Sequence, residues 1–531
     1  GMLLKTMMLL FFANIHVLDG RLMYIDKKRL YLKKKMKTRV RFAPSPTGPL
    51  HIGGLRTALF NYLFAKKKAG VFVLRIEDTD QNRSVEGSED YIQEALEWCG
   101  MNPDEGPKNG GEFGPYRQSE RKNIYADHIQ TLIKKGAAYY AFDKAERLNE
   151  ERKEAEKKGE TFKYGHQNRL QFKNSLTLTE KETTEALKNE FVIRLKVESN
   201  QTVIVKDLIR GVVRVKTDTL DDKILMKSDG MPTYHFANVV DDHLMEITCV
   251  IRGEEWLPSL PIHKLIYTAF GWETPEFMHL PLILKTVGKG KLSKRDGDKD
   301  GYPVFPLKWG KETPGFREMG FLASGMVNYL ALLGWNEGIE KEVYSLKELE
   351  KAFNTKGVQK GGARFDYEKA KWINQQQLQK MSVEEIYSLS RVKELLSPFE
   401  ENKHLSLIRL VKERLNILDD IKDELTFIES TYPYDEKVIE KINDKNPKAV
   451  LEQIKKTLIE EDDVDLFQEQ IISWSKKNEV SMGILMQSFR LALVGKLTGP
   501  DIFKVCSVLG KEVSLKRINK LIEHLNFKQI L

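Results

Sequence analysis

Cysteine is scarce in this sequence, with only three in 531 residues. Cys99, Cys249 and Cys506 lie far apart along the chain. Their odd number and wide spacing argue against a disulfide framework and against a cysteine-based zinc cluster. A reducing compartment suits such a chain, so we expect a cytoplasmic protein.

Long apolar runs are also missing, because no stretch approaches the ~18 to 20 residues that span a bilayer. We therefore expect no membrane segment. The apolar run of residues 7–13 is short for a signal peptide and is not followed by a clear cleavage site of small residues. Residues 2–35 carry no folded-domain pattern, and Met36 directly precedes the first convincing strand. We treat residues 1–36 as an N-terminal extension, with Met36 as a candidate natural start.

The remaining composition is that of an ordinary globular chain, with 41% hydrophobic and 31% charged residues. The length is several times that of a usual domain of roughly 100 to 150 residues, so we expect several cores in series. The formal net charge of +8 is modest. It suits an enzyme with a polyanionic partner better than a DNA-packaging protein.

The first folded segment shows a strand–loop–helix–strand pattern. Residues 38–43 alternate and then stop at the turn-rich segment 44–49, where closely spaced X-Pro steps disfavour a helix. From Ile52, apolar residues repeat at three- and four-residue spacing as far as the stop at Gly70, which predicts an amphipathic helix. Residues 71–76 form a buried type of strand. Such a unit predicts a parallel, nucleotide-binding sheet.

We expect strands near residues 192–195 and 246–252 to continue this α/β pattern. The residues between the first unit, which ends at residue 76, and these later strands are therefore expected to be an insertion. Residues 144–160 in that insertion are dense in Lys and Glu at helical spacing. This pattern favours a solvated helix over a binding segment.

Beyond about Gln375 the pattern is helical almost throughout. Ser382 and Glu385 form a capping-box signature. One apolar face of a later helix is marked by Leu466, Phe467, Ile471 and Trp474. The C-terminal third is therefore predicted to be an all-α module.

A short glycine motif lies between the first strand and the first helix. In His51-Ile-Gly-Gly54, free backbone N–H groups and the helix dipole favour phosphate oxygens. Gly53 and Gly54 lack a Cβ, so a nucleotide can lie close against the backbone. Paired glycines are also common at such turns for purely structural reasons.

A second motif is basic and bracketed by glycines. Lys291-Leu-Ser-Lys-Arg295 follows Gly288 and Gly290 and precedes Gly297, which indicates a mobile loop. Its cationic side chains can close on the negative charge of a departing pyrophosphate. A solvated surface loop is the plain alternative.

The two motifs resemble the HIGH and KMSKS signatures of class I aminoacyl-tRNA synthetases. Flanking blocks are similar to those of glutamyl-tRNA synthetases and occur in the family's order: RFAPSPTGPLHIGG (41–54), RIEDTD (75–80), DGMPTYHFANVVDD (229–242) and VIRGEEW (250–256). The resemblance runs from about Thr38 to the C-terminus and is densest before Asn374. The chain is identified as a member of the bacterial-type family.

This resemblance implies a reaction in which the carboxylate of L-glutamate attacks the α-phosphate of ATP and expels magnesium-bound pyrophosphate. The glutamyl-adenylate then passes to the terminal ribose of tRNA(Glu), and tRNA(Gln) is a further possible substrate. Because the nucleophile is already ionised, catalysis should rest on positioning and charge stabilisation. The resemblance also implies that tRNA must be bound before glutamate is activated efficiently, and that the enzyme is a monomer.

The resemblance also implies a set of site residues. The candidates for binding the amino acid are Arg41, Ala43, Ser45, Glu77, Tyr234, Asn238 and Arg252. The candidates for binding ATP are Thr47, Gly48, His51, Gly53, Gly54, Glu255, Trp256, Leu292 and Lys294. The catalytic candidates are His51, Lys291, Lys294 and Arg295.

Three of these candidates carry a specific chemical expectation. Arg41 and Arg252 suit a carboxylate because a planar guanidinium can donate two parallel hydrogen bonds. Glu77 is expected to meet the substrate ammonium group. An acidic turn at a strand end is the alternative for Glu77, and a half-buried core aromatic is the alternative for Tyr234.

The expected architecture is α/β: a Rossmann-like class I synthetase catalytic domain with an inserted acceptor-binding domain, followed by an all-α anticodon-binding region. The expected divisions are an N-terminal extension (1–36), the first catalytic part (37–123), the acceptor-stem insertion (124–235), the second catalytic part with KLSKR (236–300), a stem-contact region (301–374) and the helical anticodon-binding region (375–531).

The sequence departs from the family at one point. Many members carry a cysteine-based zinc site where residues 138–143 here are AYYAFD, so we expect no structural zinc. The histidines His166, His235 and His243 lack metal-ligand spacing and are expected to be structural. The block 487–503 resembles the anticodon-reading end, and its Arg490 and Lys496 either face RNA or are ordinary surface charges.

Three alternatives stay open at this point. A glutaminyl-tRNA synthetase shares the fold, although the acidic turn at 75–80 and the helical C-terminal region favour glutamate. A small-molecule nucleotidylyltransferase uses similar chemistry but does not need the helical tail. A catalytically inactive tRNA-binding protein is the third alternative, and the intact HIGG and KLSKR motifs argue against it.

Overall fold

The computed structural model describes residues 15–18, 21–24, 37–428 and 433–530. The strands are β1 (Ile15–Leu18), β2 (Arg21–Tyr24), β3 (Arg39–Phe42), β4 (Val71–Leu74), β5 (Ala138–Ala141), β6 (Val192–Leu195), β7 (Thr202–Asp207), β8 (Gly211–Lys216), β9 (Ile224–Met226), β10 (Cys249–Gly253), β11 (Glu276–Leu280), β12 (Ile283–Leu284) and β13 (Ala363–Arg364).

Helices are the more abundant elements. The α-helices are α1 (Ile52–Lys67), α2 (Ser88–Trp98), α3 (Lys122–Lys134), α4 (Ala145–Lys157), α5 (Glu180–Ala186), α6 (Tyr234–Leu244), α7 (Leu260–Phe270), α8 (Lys294–Asp300), α9 (Ala323–Leu332), α10 (Leu346–Ala352), α11 (Tyr367–Lys380), α12 (Val383–Ser388), α13 (Ser390–Leu396), α14 (His404–Val411), α15 (Asp420–Glu424), α16 (Glu436–Asn443), α17 (Pro447–Glu460), α18 (Val464–Lys477), α19 (Met482–Val494), α20 (Ile502–Leu509) and α21 (Lys511–Ile530).

The predicted strand–helix–strand unit is confirmed. Strands β3 and β4 are parallel and pair Arg39 with Val71, and α1 connects them. However, α1 is not amphipathic in the predicted sense, because its buried residues surround most of the helix. It packs against β3 on one side and against α9 and α10 on the other. A helix enclosed by two layers has little need of a polar face.

Strand β10 lies beside β3, and the backbone N–H of Thr248 donates to Arg39 O at 2.9 Å. Strand β10 pairs in parallel with β11, and β11 pairs in parallel with β7. The predicted strand near 246–252 is thus confirmed as β10.

The expectation for residues 192–195 is only partly right. They form strand β6, but β6 pairs antiparallel with β5 and β9 in a separate sheet of three strands. The hairpin β7–β8 joins the larger sheet instead. A short apolar run indicates a strand without specifying its partners, since those depend on long-range packing.

Several local predictions are confirmed. Helix α4 has no buried residue, as expected of a solvated Lys/Glu helix. At α12, the Ser382 hydroxyl accepts from the Glu385 N–H at 3.0 Å, and the Ser382 N–H donates to the Glu385 carboxylate at 2.6 Å. This is the predicted capping box.

The apolar face predicted for α18 is correct in part. Phe467 and Ile471 are fully buried, and Trp474 packs partly against the same core. Leu466 is the exception, because 49% of it is exposed. Successive helical residues point about 100° apart, so Leu466 turns away when Phe467 faces the core.

Buried apolar residues form several clusters. One joins the α1 side of the sheet to residues 301–373, so these segments share a core. Another fills the C-terminal helices from α11 onward. Within the described residues, no helix combines the length and apolar content that crossing a bilayer needs.

The N-terminal segment is described only at β1 and β2, which form an antiparallel hairpin that the sequence pattern did not predict. Met36, the candidate start, lies outside the described residues.

Candidate active site

A cavity of about 420 Å³ opens at the carboxyl ends of β3, β4, β10 and β11, beside the start of α1. This edge of a parallel sheet is where α/β proteins bind ligands, and the volume suits a small-molecule ligand. Fifteen of the predicted site residues line it: Arg41, Ala43, Ser45, Thr47, His51, Gly53, Gly54, Glu77, Tyr234, Asn238, Arg252, Glu255, Trp256, Lys291 and Leu292.

His51 lies at the N-cap of α1. Its Nδ1 accepts a hydrogen bond from the Gly53 N–H at 3.0 Å. Burial, assisted by the nearby charge of Lys291, lowers the pKa of His51 to about 4, so the imidazole is neutral near pH 7. An accepting Nδ1 leaves the proton on Nε2. Nε2 has no hydrogen-bond partner among the described residues, so His51 offers one N–H at the cavity.

The glycines of this motif serve different purposes. A Cβ on Gly54 would approach Leu50 Cδ1 to 2.5 Å, so any larger residue there would displace the buried Leu50 side chain. A Cβ on Gly53 would meet only His51 Nδ1, at 3.4 Å. Gly48 adopts φ +134°, which L side chains rarely adopt, but it does not line the cavity.

Arg252 is 4% exposed at the end of β10. Its Nε donates to His279 Nε2 at 3.0 Å. Its Nη1 donates to the Tyr234 hydroxyl at 2.8 Å and lies 3.3 Å from His263 Nδ1. Nη2 is buried and has no hydrogen-bond partner among the described residues. A buried cationic donor without a partner is costly, so this atom indicates an anionic ligand.

A ring of charged side chains surrounds Glu77. Arg41 and Arg75 both donate to Asp242 Oδ1, at 2.8 and 2.7 Å. Arg75 also donates to Glu77 Oε1 at 3.0 Å, and Asn238 donates to the same oxygen at 2.9 Å. Burial raises the pKa of Glu77 against the opposing effect of both arginines, whereas these arginines outweigh burial and lower that of Asp242. Among the described residues, no hydrogen bond uses Glu77 Oε2, which leaves that oxygen for a cationic ligand group.

Aromatic and charged side chains lie at the cavity mouth. Tyr234 and Trp256 have ring centroids 4.3 Å apart, and 41% of Trp256 is exposed. Lys291 Nζ lies 2.7 Å from Glu255 Oε1. An exposed indole beside a cavity offers a flat surface on which a base can stack.

The rest of the basic motif lies outside the cavity lining. Lys294 and Arg295 begin the short helix α8 and are exposed. Lys294 Nζ contacts Thr313 Oγ1 at 3.3 Å. Asp296 fixes this helix start by accepting from the Ser293 N–H and hydroxyl, at 2.9 and 2.5 Å. A motif that the sequence indicated to be a loop is thus partly helical here.

Sequence reasoning missed several residues that shape this site. They are the charge partners Arg75 and Asp242, the Arg252 partners His263 and His279, the His279 partner Asp207, and Arg56, whose guanidinium donates to the backbone carbonyls of Leu333 and Pro281. Only Asp242 and Arg75 stood inside a quoted motif. Arg56 follows the HIGG motif by two residues but stood outside the quoted block, and His263, His279 and Asp207 lie outside every quoted block.

No group of three or more His, Cys, Asp or Glu side chains is placed to hold a metal ion in the described part of the chain. Residues 138–141 form β5, and Tyr139 and Ala141 pack in a small cluster with Tyr164 and Phe172. His166 lies 3.5 Å from Asp218, and His243 stacks on Trp272. His235 Nδ1 lies 3.2 Å from His263 Nε2.

Comparison with known proteins places this chain in a family. The family model for tRNA synthetases class I (E and Q), catalytic domain, matches residues 37–372, and an anticodon binding domain matches residues 383–522. The glutamate–tRNA ligases of Christiangramia forsetii and Flavobacterium johnsoniae are each 51% identical over 502 and 501 residues, covering 92% of this chain and 99% of each relative.

Solved structures of glutamate–tRNA ligases are similar to this chain as well. The crystal structure of a glutamate tRNA ligase from Elizabethkingia meningosepticum, in complex with its amino acid, matches with a TM-score of 0.88. That of the glutamate-tRNA synthetase from Elizabethkingia anophelis matches with 0.87. Both are 48% identical and cover 92% of this chain and all of theirs. The chain therefore belongs to the class I tRNA synthetases for glutamate and glutamine, and within them to the glutamate–tRNA ligase family.

Proposed function

We propose that this chain attaches L-glutamate to tRNA(Glu) in two steps at the cavity described above. A single observation carries the proposal. Nη2 of buried Arg252 and the Nε2–H of His51 lie at one cavity, and neither has a hydrogen-bond partner in the part of the chain that the structure describes. The first atom suits a carboxylate and the second suits a phosphate oxygen.

In the first step, a glutamate α-carboxylate oxygen forms a bond to the α-phosphorus of ATP, and the bond from that phosphorus to the bridging oxygen of the β-phosphate breaks. Pyrophosphate leaves with the electron pair. The nucleophile is already ionised, so no base is required. Glu77 holds the substrate ammonium, and Arg41 and Arg252 hold carboxylate oxygens. In the second step, the ribose 2′-oxygen of the terminal adenosine bonds to the acyl carbon, and the bond from that carbon to the phosphate oxygen breaks. AMP leaves with the electron pair, and the hydroxyl proton is released to water.

Mg²⁺ enters this scheme with ATP. The described residues hold no three-ligand cluster of the kind that would bind a resident metal ion. Mg²⁺ commonly keeps several waters and is bound through substrate phosphates. We therefore assign it to the nucleotide, where it neutralises charge on the phosphates.

The ATP side of the cavity comprises the remaining candidates. His51 donates to a phosphate oxygen, Gly53 lets the nucleotide approach the backbone, and Trp256 lies beside the adenosine. Thr47, Glu255 and Leu292 line the cavity as further nucleotide neighbours, and Gly48 is proposed as a neighbour from outside the lining. Ala43, Ser45, Tyr234 and Asn238 surround the amino acid.

The KLSKR motif (residues 291–295) acts in catalysis only after it moves towards the cavity. Lys291, Lys294 and Arg295 lie at or beyond the cavity rim, and two of them do not line it. We propose that α8 and the preceding loop shift so that these cations meet the pyrophosphate as negative charge develops on it.

We further propose the domain roles inferred from the sequence: an acceptor-stem insertion at 124–235, a stem-contact region at 301–374 and anticodon recognition by residues 375–531. The anticodon-domain match at 383–522 supports the last of these. A cytoplasmic monomer is the proposed state, and the three free, buried cysteines are compatible with it.

The test is aminoacylation with labelled glutamate, using separately transcribed tRNA(Glu) and tRNA(Gln). We expect transfer to tRNA(Glu), and its loss by a factor of 10² or more in Lys294→Ala, because an electrostatic donor to the transition state is typically worth that much. Lys299→Ala removes an exposed charge from the same helix and should change little. Equal losses in both variants would contradict the role of Lys294.

The same assay settles the amino acid and the tRNA. Transfer of labelled glutamine instead of glutamate would assign the chain to the glutamine branch, and no transfer of either would favour a non-catalytic protein. The tRNA(Gln) reaction decides whether that tRNA is a second substrate. Pyrophosphate exchange that proceeds equally fast without tRNA would contradict the expected dependence of activation on tRNA.

A further inference from the structure

We propose that His279 and His263 are positioning residues that hold the Arg252 guanidinium between neutral partners, leaving its charge and its Nη2 donors for a substrate carboxylate. The inference rests on the proposed function, because it takes Arg252 as the residue that binds the carboxylate. It concerns two histidines that lie outside the cavity lining.

The count of donors on Arg252 is the first step. A guanidinium carries five N–H groups and accepts none. One at Nε is used by His279, and two at Nη1 are used by Tyr234 and His263. The two at Nη2 are unpartnered within the described residues. The three donors at Nε and Nη1 are thus satisfied by the protein. The two donors at Nη2 are left to bind a ligand.

The tautomer of His279 follows from this geometry. Since arginine only donates, His279 Nε2 must accept and the ring proton must lie on Nδ1. Nδ1 then donates to Asp207 Oδ2 at 2.7 Å. Asp207 is itself fixed, because its Oδ1 accepts from the backbone N–H groups of Ile209 and Arg210 at 2.9 and 2.8 Å. The orientation of Arg252 is therefore tied to the backbone after β7.

His263 fixes the other side in the same way. Its Nδ1 must accept from Arg252, so its proton lies on Nε2 and points to His235 Nδ1 at 3.2 Å. His263 and His279 are 1% and 0% exposed, and burial lowers the pKa of both. Both rings are neutral near pH 7, as the hydrogen-bond geometry also requires.

The charge balance distinguishes the two arginines of the site. Arg41 forms a direct ion pair with Asp242. Arg252 forms no ion pair with any described residue, and Asp207 reaches it only through neutral His279. The positive charge of Arg252 is left uncompensated until a ligand binds. A substrate carboxylate supplies that compensation, so the frame favours an anionic ligand group at Nη2.

Two substitutions at His279 separate these contacts. In His279→Gln, the amide reaches about as far as Nε2 and its oxygen can still accept from Arg252. In His279→Asn, the shorter amide reaches only about as far as Nδ1, so it keeps the contact with Asp207 but leaves Arg252 Nε without an acceptor. Both variants place a neutral amide at the same buried position, so a purely structural role predicts similar losses.

The measurement is steady-state aminoacylation of tRNA(Glu), with glutamate and ATP varied separately. We expect His279→Asn to raise the KM for glutamate about tenfold, the effect of one hydrogen bond to a charged group, with little change in the KM for ATP. His279→Gln should stay within about threefold of wild type in both. Melting temperatures show whether both variants fold.

Each outcome has a distinct meaning. Equal KM values for glutamate in the two variants, or equal increases for glutamate and ATP, would overturn the positioning role. If His279→Asn fails to fold, a pair of variants at position 263 replaces it. His263→Leu removes an acceptor from Arg252 and should raise the KM for glutamate, whereas His263→Asn can still accept from Arg252 and should not. Absence of glutamate transfer by the wild type would instead refute the proposed function, which separates the two failures.

Discussion

His51 illustrates what a single side chain contributes at the start of α1. One ring nitrogen caps the helix by accepting from the Gly53 N–H, and the other is a donor with no partner among the residues described. Asparagine is a good N-cap residue but cannot extend a donor as far as Nε2. We expect His51→Asn to lower kcat/KM for ATP by about 10²-fold or more while leaving the melting temperature nearly unchanged.

A control variant separates the capping function of His51 from its function as a donor. His51→Ala removes the cap as well as the donor, so it should lose about 1 kcal/mol of stability in addition to activity. A loss of stability in His51→Asn as large as that in His51→Ala would contradict a retained cap. The comparison needs thermal or urea unfolding beside the kinetic assay.

Stability should fall with acidity because of buried neutral histidines. Burial lowers the pKa of His51 and of His235 to about 4, from an unfolded value near 6.5. Between these values the unfolded chain binds more protons than the folded one, so the free energy of unfolding decreases as pH falls. For His51 the loss by pH 4.5 is roughly 2 kcal/mol. The measurement is urea unfolding at pH 7 and at pH 4.5.

The His51→Asn variant provides the internal reference for this effect. Other groups titrate in both proteins, but the variant lacks the buried imidazole. Its stability relative to wild type should therefore improve as pH falls from 7 to 4.5. A constant difference between the two proteins across this range would show that His51 titrates normally in the fold.

At the level of one element, the two glycines in the first turn of α1 are not equivalent. Alanine at position 54 would force Leu50 to move inside a packed core, so we expect Gly54→Ala to cost roughly 1 kcal/mol after the gain in helix propensity. Gly53→Ala should keep or slightly raise stability. It should raise the KM for ATP if the nucleotide lies against that backbone. Equal stability of the two variants would contradict the packing argument.

The KLSKR segment shows how element type can depend on tertiary contacts. Glycines and lysines indicate a loop by composition. In the fold, the backbone of Lys291 forms an antiparallel β-bridge with Leu284. Asp296 accepts a hydrogen bond from the Ser293 N–H and forms an ion pair with Lys285. These contacts turn the second half of the motif into α8. The interpretation as a mobile loop stays a prediction, to be tested with ligand bound.

At the level of the whole molecule, substitutions in the C-terminal helical region should affect the binding of tRNA without affecting the binding of glutamate or ATP. Arg490 donates to the Pro500 carbonyl at 2.6 Å and is half-buried, whereas Lys496 is exposed. We expect Lys496→Gln to raise the KM for tRNA severalfold without changing stability, because a phosphate contact is lost. Arg490→Gln should instead lower stability by about 1 kcal/mol.

Kinetics and unfolding of both variants check this expectation. In Lys496→Gln the KM values for glutamate and ATP should stay at wild-type levels, and its salt dependence of tRNA binding should be weaker. A normal KM for tRNA in Lys496→Gln would make that residue ordinary surface charge. The two outcomes correspond to the alternatives that the sequence left open.

Much of the fold followed from local patterns. Strand β3, α1, β4 and the capping box of α12 were all predicted from residue spacing and caps, since those signals act within a few residues. The partners of β6 and the exposure of Leu466 were predicted wrongly. Both depend on which surface packs against which, and a local pattern does not contain that information.

The sequence by itself determined the family and most of the cavity lining, because the HIGG, RIEDTD and VIRGEEW blocks hold their residues in consecutive positions at strand ends. Only the tertiary structure decided which donors are left free. Among the described residues, Arg252 Nη2 and His51 Nε2 have no hydrogen-bond partner, whereas Tyr234, His263, His279 and Gly53 satisfy the neighbouring atoms. Such satisfaction is a property of three-dimensional contacts between distant segments, so a linear motif cannot specify it.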